Sequence, residues 1–207
     1  MSVEVGEKQT WTPRTKLGML VQSGKITSLS TIFEQGYRIR EPEIVRTLLP
    51  DLKSEVISAG IVQKQTDAGE VTRFVAIVAV GSPGWFGIGR GKAMQMRSAI
   101  EKATTAALLN IIPVKLGCGS WECRCSRPHS VPYKIVGKSG SVRVEIMPAP
   151  RGLGLVAGEN VKKMLALAGV ADAWTKTFGS TSTPSSITNA VYDAFKNMHK
   201  FALTPIK

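Results

Sequence analysis

The hydrophobic pattern changes from a β-strand type to a helical type within the first half of the chain. Residues 56–65 and 71–80 are rich in β-branched side chains, and the turn-forming residues 66–70 between them predict a hairpin. A third, shorter strand is predicted at residues 85–88, after a Gly-Ser-Pro-Gly turn. Over residues 92–110, apolar side chains recur three and four positions apart, which predicts a helix. This part of the chain therefore predicts a three-stranded sheet backed by one helix.

The carboxyl-terminal part also mixes strands and helices. Residues 141–147 alternate between apolar and polar side chains, so they predict a strand that pairs with residues 133–136 across a turn at 137–140. The patterns that follow predict a helix at 159–168, a strand at 173–178 and a helix at 185–199. The pattern therefore predicts a second α+β unit.

The first fifty residues predict small adaptor elements rather than a domain. Short helices are predicted at residues 27–35 and, after Pro42, at 43–49. Residues 11–20 are basic and apolar without a period, as expected for an extension that a partner surface must order.

These patterns predict five consecutive regions. The stretch 117–132 lacks a period and is rich in Gly, Cys, Ser, Arg and Pro, which is typical of a linker. The predicted division is an amino-terminal extension with short helices (1–50), a first domain (51–115), a Cys-rich linker (116–130), a second domain (131–200) and a tail (201–207).

The composition predicts a folded protein that contains no membrane-spanning segment. Hydrophobic residues make up 43% of the 207 residues and charged residues 20%, close to the averages for globular proteins. The longest apolar run, residues 74–80, is far shorter than the roughly 20 residues that span a bilayer. Residues 1–10 show no secretory signal, so we expect a cytoplasmic protein without a membrane partner.

The charge distribution indicates a polyanionic partner. Lys and Arg number 27 against 15 Asp and Glu, a net charge of +12. Residues 85–143 alone carry ten basic residues against Glu101 and Glu122, so the excess lies within the folded chain. The alternative is a basic surface that is merely solvated.

Two glycine-rich stretches are candidate phosphate-binding loops. Residues 86–93, Phe-Gly-Ile-Gly-Arg-Gly-Lys-Ala, are predicted at a strand-to-helix transition, where backbone N–H groups and a helix dipole attract anions. Their spacing matches neither a nucleotide P-loop nor a dinucleotide loop. Residues 148–158 form a second such stretch around Arg151. In both stretches, the alternative is a purely conformational role: a turn that lets a helix pack on a sheet at 86–93, and a conformational loop at 148–158.

Three cysteines and one histidine fall within twelve residues. Cys118, Cys123, Cys125 and His129 offer the donor types that bind zinc, and a zinc ion would stabilise a segment too short for its own core. The single residue between Cys123 and Cys125 departs from the usual paired spacing, so reduced structural thiols remain the alternative. We predict no required cofactor beyond this candidate structural zinc.

Catalytic motifs are not found in the sequence. His129 and His199 are the only histidines, and no nucleophile elbow, metalloprotease motif or deaminase motif occurs. We therefore predict that the protein is not an enzyme.

In these motifs the chain resembles a known family, the universal small-subunit ribosomal protein S-five family in its archaeal form. The resemblance covers residues 11–195. Its most specific stretches are residues 41–45 (Glu-Pro-Glu-Ile-Val), 65–69 (Gln-Thr-Asp-Ala-Gly), 89–93, 110–113 (Asn-Ile-Ile-Pro), 117–123 (Gly-Cys-Gly-Ser-Trp-Glu-Cys), 127–129, 137–142 and 148–158.

The resemblance implies both a fold and a function. The fold is α+β: an α-β-β-β-α domain like a double-stranded-RNA-binding domain, then an α+β domain with a left-handed β-α-β crossover. The family is a structural constituent of the small ribosomal subunit that binds ribosomal RNA near the messenger entry and decoding region. It touches ribosomal proteins S-four and S-eight, with messenger RNA nearby, and contributes to translational accuracy.

We expect the RNA contacts to come from the two glycine stretches and the basic residues around them. The candidates are Gly87, Gly89, Arg90, Gly91, Lys92, Arg97, Lys102, Arg124, Arg127, Lys134, Lys138, Arg151, Gly152 and Gly154. One alternative is an RNA-modifying or phosphotransfer enzyme, because the carboxyl-terminal fold type also occurs in small-molecule kinases. Another is a zinc-stabilised regulator of messenger RNA that does not reside on ribosomes.

Overall fold

Two four-stranded sheets and six helices make up the residues that the computed structural model describes, which are 11–123, 125 and 127–203. The helices are α1 (Lys16–Gln22), α2 (Leu29–Glu34), α3 (Pro42–Leu48), α4 (Met96–Leu109), α5 (Glu159–Leu167) and α6 (Pro184–Leu203). The strands are β1 (Lys53–Thr66), β2 (Gly69–Ser82), β3 (Trp85–Ala93), β4 (Ile112–Pro113), β5 (Ile135–Ser139), β6 (Val142–Pro148), β7 (Leu155–Val156) and β8 (Ala173–Phe178).

The predicted hairpin is confirmed and is longer than the pattern indicated. β1 and β2 pair antiparallel from Lys53 opposite Gly81 to Thr66 opposite Gly69, so Asp67 and Ala68 alone form the turn. With β3 and β4 they form the first sheet, in the order β1-β2-β3-β4. The turn end of the hairpin is an exposed arm, residues 59–73, in which the side chain of Ile61 is 63% exposed.

The third strand corrects the prediction of a glycine loop. Residues 85–93 are all β-strand, and α4 begins at Met96 instead of residue 92. Gly87, Gly89 and Gly91 alternate along β3 and face α4, so that a Cβ atom on Gly89 would overlap the backbone of Ala103 and Ala107. These glycines therefore let the helix lie directly on the sheet, which is the conformational alternative.

The amino-terminal extension is more ordered than predicted. The unpatterned stretch at 11–20 overlaps α1, and the side chain of its N-cap residue Thr15 accepts a hydrogen bond from the Gly18 N–H at 3.1 Å. Leu17 and Val21, four positions apart, are buried in one core with α2, α3, α4 and β2. The prediction missed α1 because a seven-residue helix takes its stability from tertiary packing rather than from its own sequence pattern.

The predicted α+β unit in the second half is confirmed. The second sheet has the order β5-β6-β8-β7, and β7 runs parallel to β8, so β7, α5 and β8 form a β-α-β unit. The turn predicted at 137–140 lies later, at Gly140 and Ser141, because β5 continues to Ser139. Gly137 is needed within this strand, since a Cβ atom there would overlap the backbone of α6 at Ala190 and Ala194.

The two halves share one hydrophobic core. Ile77, Phe86 and Ile88 on the face of the first sheet opposite α4 pack with buried residues of α5 and α6. The Phe86 and Phe195 rings meet edge to face with centroids 5.1 Å apart. The Tyr192 hydroxyl donates to the Asn110 carbonyl at 2.9 Å, which ties α6 to the end of α4.

The predicted linker is held by hydrogen bonds in its described part. Gly117 and Ser130 form an antiparallel bridge, with the Gly117 N–H donating to the Ser130 carbonyl at 2.8 Å.

The predicted helix at 185–199 is confirmed as α6 and continues to Leu203, so the first residues of the predicted tail are helical. Among the described residues, no helix is both long enough and apolar enough to cross a bilayer.

The contact between α4 and β3 predicts a position-specific cost for adding one methyl group. We expect Gly89→Ala to lower the free energy of unfolding by about 1–3 kcal/mol, because overpacking forces backbone shifts. Gly60→Ala is the matched control, because Gly60 also lies in a strand but a Cβ atom there meets nothing within 4 Å. It should change stability by less than about 0.5 kcal/mol. Urea unfolding of the full chain measures both, and equal losses would contradict this packing role.

Candidate functional site

One face of the first sheet carries basic side chains from three strands. Arg90 and Lys92 alternate with the buried glycines of β3, so both project from the face opposite α4, and both are exposed. In the register of β2 with β3, Lys92 lies opposite Val75 and Arg90 opposite Ile77. Two positions before Val75, Arg73 lies on the same face, and Lys64 of β1 lies opposite Val71 on that face too. We call Lys64, Arg73, Arg90 and Lys92 the basic sheet face.

The two faces of β3 determine which of its residues can contact a polyanion. Gly87, Gly89 and Gly91 are buried under α4, so the expected RNA contacts of these three glycines are corrected. Arg90 and Lys92 remain exposed candidates. Lys64 and Arg73 were missed because their position on the same face depends on the register of the hairpin. That register is not visible in the local charge pattern.

The remaining basic candidates lie on separate surfaces. Arg97 and Lys102 are exposed on α4, on the other side of the first sheet, and Arg97 Nε pairs with Glu101 at 3.2 Å. Arg127 and Arg151 are exposed near the cysteine segment, whereas Arg124 lies outside the described residues. The structure therefore does not bring the predicted basic residues together into one site.

A second basic surface covers the outer face of the second sheet. Lys138 on β5 pairs with Arg143 on β6, and Arg143 pairs with Phe178 on β8, where its guanidinium lies 6.0 Å from the ring centroid. Phe178 is 48% exposed and Trp174 is 37% exposed. The face therefore offers both charge and aromatic rings, which is the combination that stacks on unpaired bases.

Glu145 is the acidic centre of this second face. Its carboxylate lies 2.8 Å from Lys134 Nζ and 2.7 Å from the Arg143 guanidinium. The hydrogen bond from Lys134, with the nearby positive charges, lowers the pKa of Glu145 below its usual value. Lys134, a predicted RNA contact, is thus already engaged with a carboxylate in the protein.

The second glycine stretch surrounds a carboxylate. The N–H groups of Gly152 and Gly154 donate to Asp172 Oδ1 at 3.1 and 2.7 Å. Both glycines have positive φ angles, 88° and 78°, which bring their N–H groups to the same oxygen. Asp172 therefore occupies the anion position of this loop within the protein, and the RNA contacts of Gly152 and Gly154 stay predictions.

The cysteine and histidine donors converge on one point. The ligand atoms of Cys118, Cys123, Cys125 and His129 all lie within 4.8 Å of one another. Cys125 Sγ is 2.9 Å from Cys123 Sγ and 3.4 Å from Cys118 Sγ, and Cys123 Sγ is 3.5 Å from His129 Nε2. The one-residue spacing between Cys123 and Cys125 is therefore compatible with a shared centre. We call these four residues the cysteine–histidine cluster.

Asp172 also orients the histidine of the cluster. His129 Nδ1 lies 2.8 Å from Asp172 Oδ2, and the two side chains are only 10% and 6% exposed. The backbone holds the pair in register, because the Asp172 N–H donates to the His129 carbonyl at 3.1 Å. A carboxylate only accepts, so Nδ1 donates this hydrogen bond, and the other ring nitrogen, Nε2, faces the cysteines.

Contacts with Cys125 change the acidity of Cys118 and Cys123 in opposite directions. Hydrogen bonds from Cys125 and from the backbone of Arg151 lower the pKa of Cys123 to about 6. The interaction with Cys125 raises the pKa of Cys118 to about 11. Cys123 is therefore the more acidic of these two thiols.

Comparisons with known proteins match both halves of the chain. The family model described as "Ribosomal protein S5, N-terminal domain" matches residues 52–115. The one described as "Ribosomal protein S5, C-terminal domain" matches residues 137–204. The cysteine–histidine cluster lies between these two matched regions.

Individual relatives cover almost the whole chain. The chain is 57% identical to the small ribosomal subunit protein uS5 of Cenarchaeum symbiosum over 194 residues, 93% of this chain and 89% of that protein. It is 53% identical to the protein of the same name from Thermofilum pendens over 92% of this chain and 95% of that protein. The corresponding protein of Sulfurisphaera tokodaii is 52% identical over 99% of this chain and 95% of that protein.

These matches agree with the resemblance found in the motifs and with the observed order of strands and helices. The relatives span the extension, both sheets and the cysteine segment, and none of those named here is an enzyme by its printed name. With both domain models matched and more than half of the aligned residues identical to archaeal relatives, the chain belongs to the ribosomal protein S5 family.

Proposed function

We propose that this protein is a structural component of the small ribosomal subunit and binds ribosomal RNA. The observation that carries the proposal is the 57% identity, over 93% of the chain, to a protein named as a small-subunit ribosomal protein. The net charge of +12 supports it independently, because RNA is the polyanion that a ribosomal protein meets. The ribosome in the cytoplasm is accordingly its proposed location.

The basic sheet face is the proposed main RNA contact of the first half. Its four side chains lie on regular strands, so their spacing is set by the sheet rather than by loop motion. Phosphate contacts of this kind supply affinity and fix orientation without reading sequence. The shape of folded RNA then supplies specificity, since the deep groove of an A-form helix is closed to side chains.

Further basic residues extend the proposed contact surface. On the outer face of the second sheet, Lys138 and Arg143 stand beside exposed Phe178 and Trp174. Arg97, Lys102, Arg127, Lys134 and Arg151 are exposed in the structure and stay predicted contacts, and Arg124 stays a prediction outside the described residues. Because these residues lie on several surfaces, the proposed protein contacts more than one RNA segment.

The resemblance in the motifs supports a finer placement. We propose a position near the messenger entry and decoding region, next to ribosomal proteins S-four and S-eight and close to messenger RNA. A contribution to translational accuracy belongs to the same proposal.

The enzymatic alternative has no support among the relatives. The proteins named above carry a ribosomal name and no activity. The absence of catalysis stays a prediction, and saturable turnover of ATP by the purified chain would contradict it.

Ribosome association gives the first test. When a cell lysate is separated on sucrose gradients at low and at high salt, we expect the protein to migrate with the small subunit at both salts. An integral component is held by many simultaneous contacts, so moderate screening does not release it. Migration at the top of both gradients would contradict the proposal and favour a free regulator of messenger RNA.

The basic sheet face predicts a change in salt dependence. Lys92→Ala should weaken binding to transcribed small-subunit ribosomal RNA about tenfold, the effect of one charge-assisted contact of about 1.5 kcal/mol. The slope of log affinity against log salt should fall by about one. Filter binding over a range of salt concentrations measures both quantities.

The matched control is an exposed lysine on a different surface. Lys25 follows α1 in the extension and lies outside the basic sheet face, so Lys25→Ala should leave the slope unchanged. An unchanged slope for Lys92→Ala would remove Lys92 from the phosphate contacts. Equal losses in the two variants would show a general charge effect rather than a defined surface.

A further inference from the structure

We infer that Cys118, Cys123, Cys125 and His129 bind one structural zinc ion, which Asp172 positions through His129. The inference is independent of the proposed function, because it rests on the convergence of these side chains and not on RNA binding. Four donors meet at one point, and they come from a segment whose described residues form no helix or extended strand.

The geometry fits a tetrahedral ion. Zinc–sulfur bonds of about 2.3 Å put neighbouring sulfur atoms of a tetrahedral site about 3.8 Å apart. The cluster has closest sulfur separations of 2.9 and 3.4 Å, and all its donor atoms lie within 4.8 Å of one another. Small side-chain adjustments therefore place the four donors around one ion. Three thiolates and one imidazole are a common donor set of closed structural zinc sites.

His129 is prepared for this role by a carboxylate. A zinc-binding histidine almost always donates its second ring N–H to an acceptor, which fixes the tautomer and the ring orientation. Asp172 Oδ2 provides that acceptor at 2.8 Å from Nδ1, and Nε2 faces Cys123 Sγ at 3.5 Å. Both side chains of this pair are at least nine-tenths buried, so the orientation is held by the surrounding protein.

Reduced thiols alone do not account for the arrangement. Thiols are weak hydrogen-bond donors and acceptors, so their mutual contacts offset little of the entropy lost in ordering this segment. The shortest sulfur separation, 2.9 Å, is also well beyond the length of about 2.05 Å of a disulfide bond. A metal ion explains both why the thiols converge and why a buried carboxylate orients the histidine.

The site would join three parts of the chain. Asp172, which directly precedes β8, holds His129 with one oxygen and the N–H groups of Gly152 and Gly154 with the other. The Cys-rich segment and the loop that bears Arg151 are thereby connected through a single carboxylate. Bound zinc would fix both segments against the second sheet.

The first experiment measures the metal in the full-length protein. When the protein is purified without chelators, elemental analysis should find about one zinc per chain. Replacement by cobalt(II) should give thiolate-to-cobalt charge-transfer absorption and the visible bands of a tetrahedral site. No zinc, together with full reactivity of all three thiols toward a thiol reagent in the native protein, would overturn the inference.

Two variants separate ligation from positioning. Cys123→Ser removes a ligand and should reduce the zinc content and the charge-transfer absorption. Asp172→Asn keeps an oxygen for Gly152 and Gly154 but presents an amide to His129 Nδ1, which disfavours the tautomer that binds metal. It should lower zinc affinity about 10–100-fold in competition with a chelator.

The matched control for the positioning residue is another carboxylate. Asp193 on α6 accepts from the Lys138 N–H at 3.1 Å and does not belong to the cluster, so Asp193→Asn should leave zinc affinity unchanged. If Asp172→Asn binds zinc as tightly as the unchanged protein, the positioning role is wrong. If Cys123→Ser fails to fold, the cobalt spectrum of the unchanged protein and the Asp172→Asn affinity still decide the question.

Discussion

The direct contact between α4 and β3 is the constraint on which the rest of the first half depends. Three alternate glycines put the helix backbone against the strand, and any side chain at Gly89 would meet the backbone of α4. Because strand residues alternate between faces, burying the glycines on one face commits Phe86, Ile88, Arg90 and Lys92 to the other. A packing requirement thus determines where the charges of this strand appear.

The opposite face of β3 has two uses along its length. Near the start of the strand, Phe86 and Ile88 are buried against α5 and α6, which unites the halves in one core. Toward its end, Arg90 and Lys92 are exposed beyond that contact. The same strand therefore packs against the second half at its start and carries exposed basic side chains at its end. The basic surfaces of the two halves are consequently attached to one shared hydrophobic core.

The cysteine segment is ordered by polar interactions rather than by apolar burial. Its described residues lack a regular element apart from the bridge between Gly117 and Ser130. Asp172 compensates by gathering His129, Gly152 and Gly154, while the Ser130 hydroxyl donates to the Asp172 carbonyl. A buried polar network of this kind is stable only when each of its polar groups has a hydrogen-bonding or ligand partner. Because His129 belongs both to this network and to the cysteine–histidine cluster, the two sets of residues form one polar arrangement.

The sequence by itself determined the α+β class, the central hairpin, β8 and the two long helices, because hydrophobic periodicity and turn residues are local signals. It also identified the family and the four donors of the cysteine–histidine cluster. Tertiary structure alone decided that the strand continues through residues 89–93, since the glycines there are required by the close approach of α4 rather than by a turn. Likewise, α1 depends on packing, and the anion that Gly152 and Gly154 hold is Asp172, eighteen or more residues away. Lys64 and Arg73 join Arg90 and Lys92 only through strand register, which couples residues distant in the chain and leaves no trace in local composition.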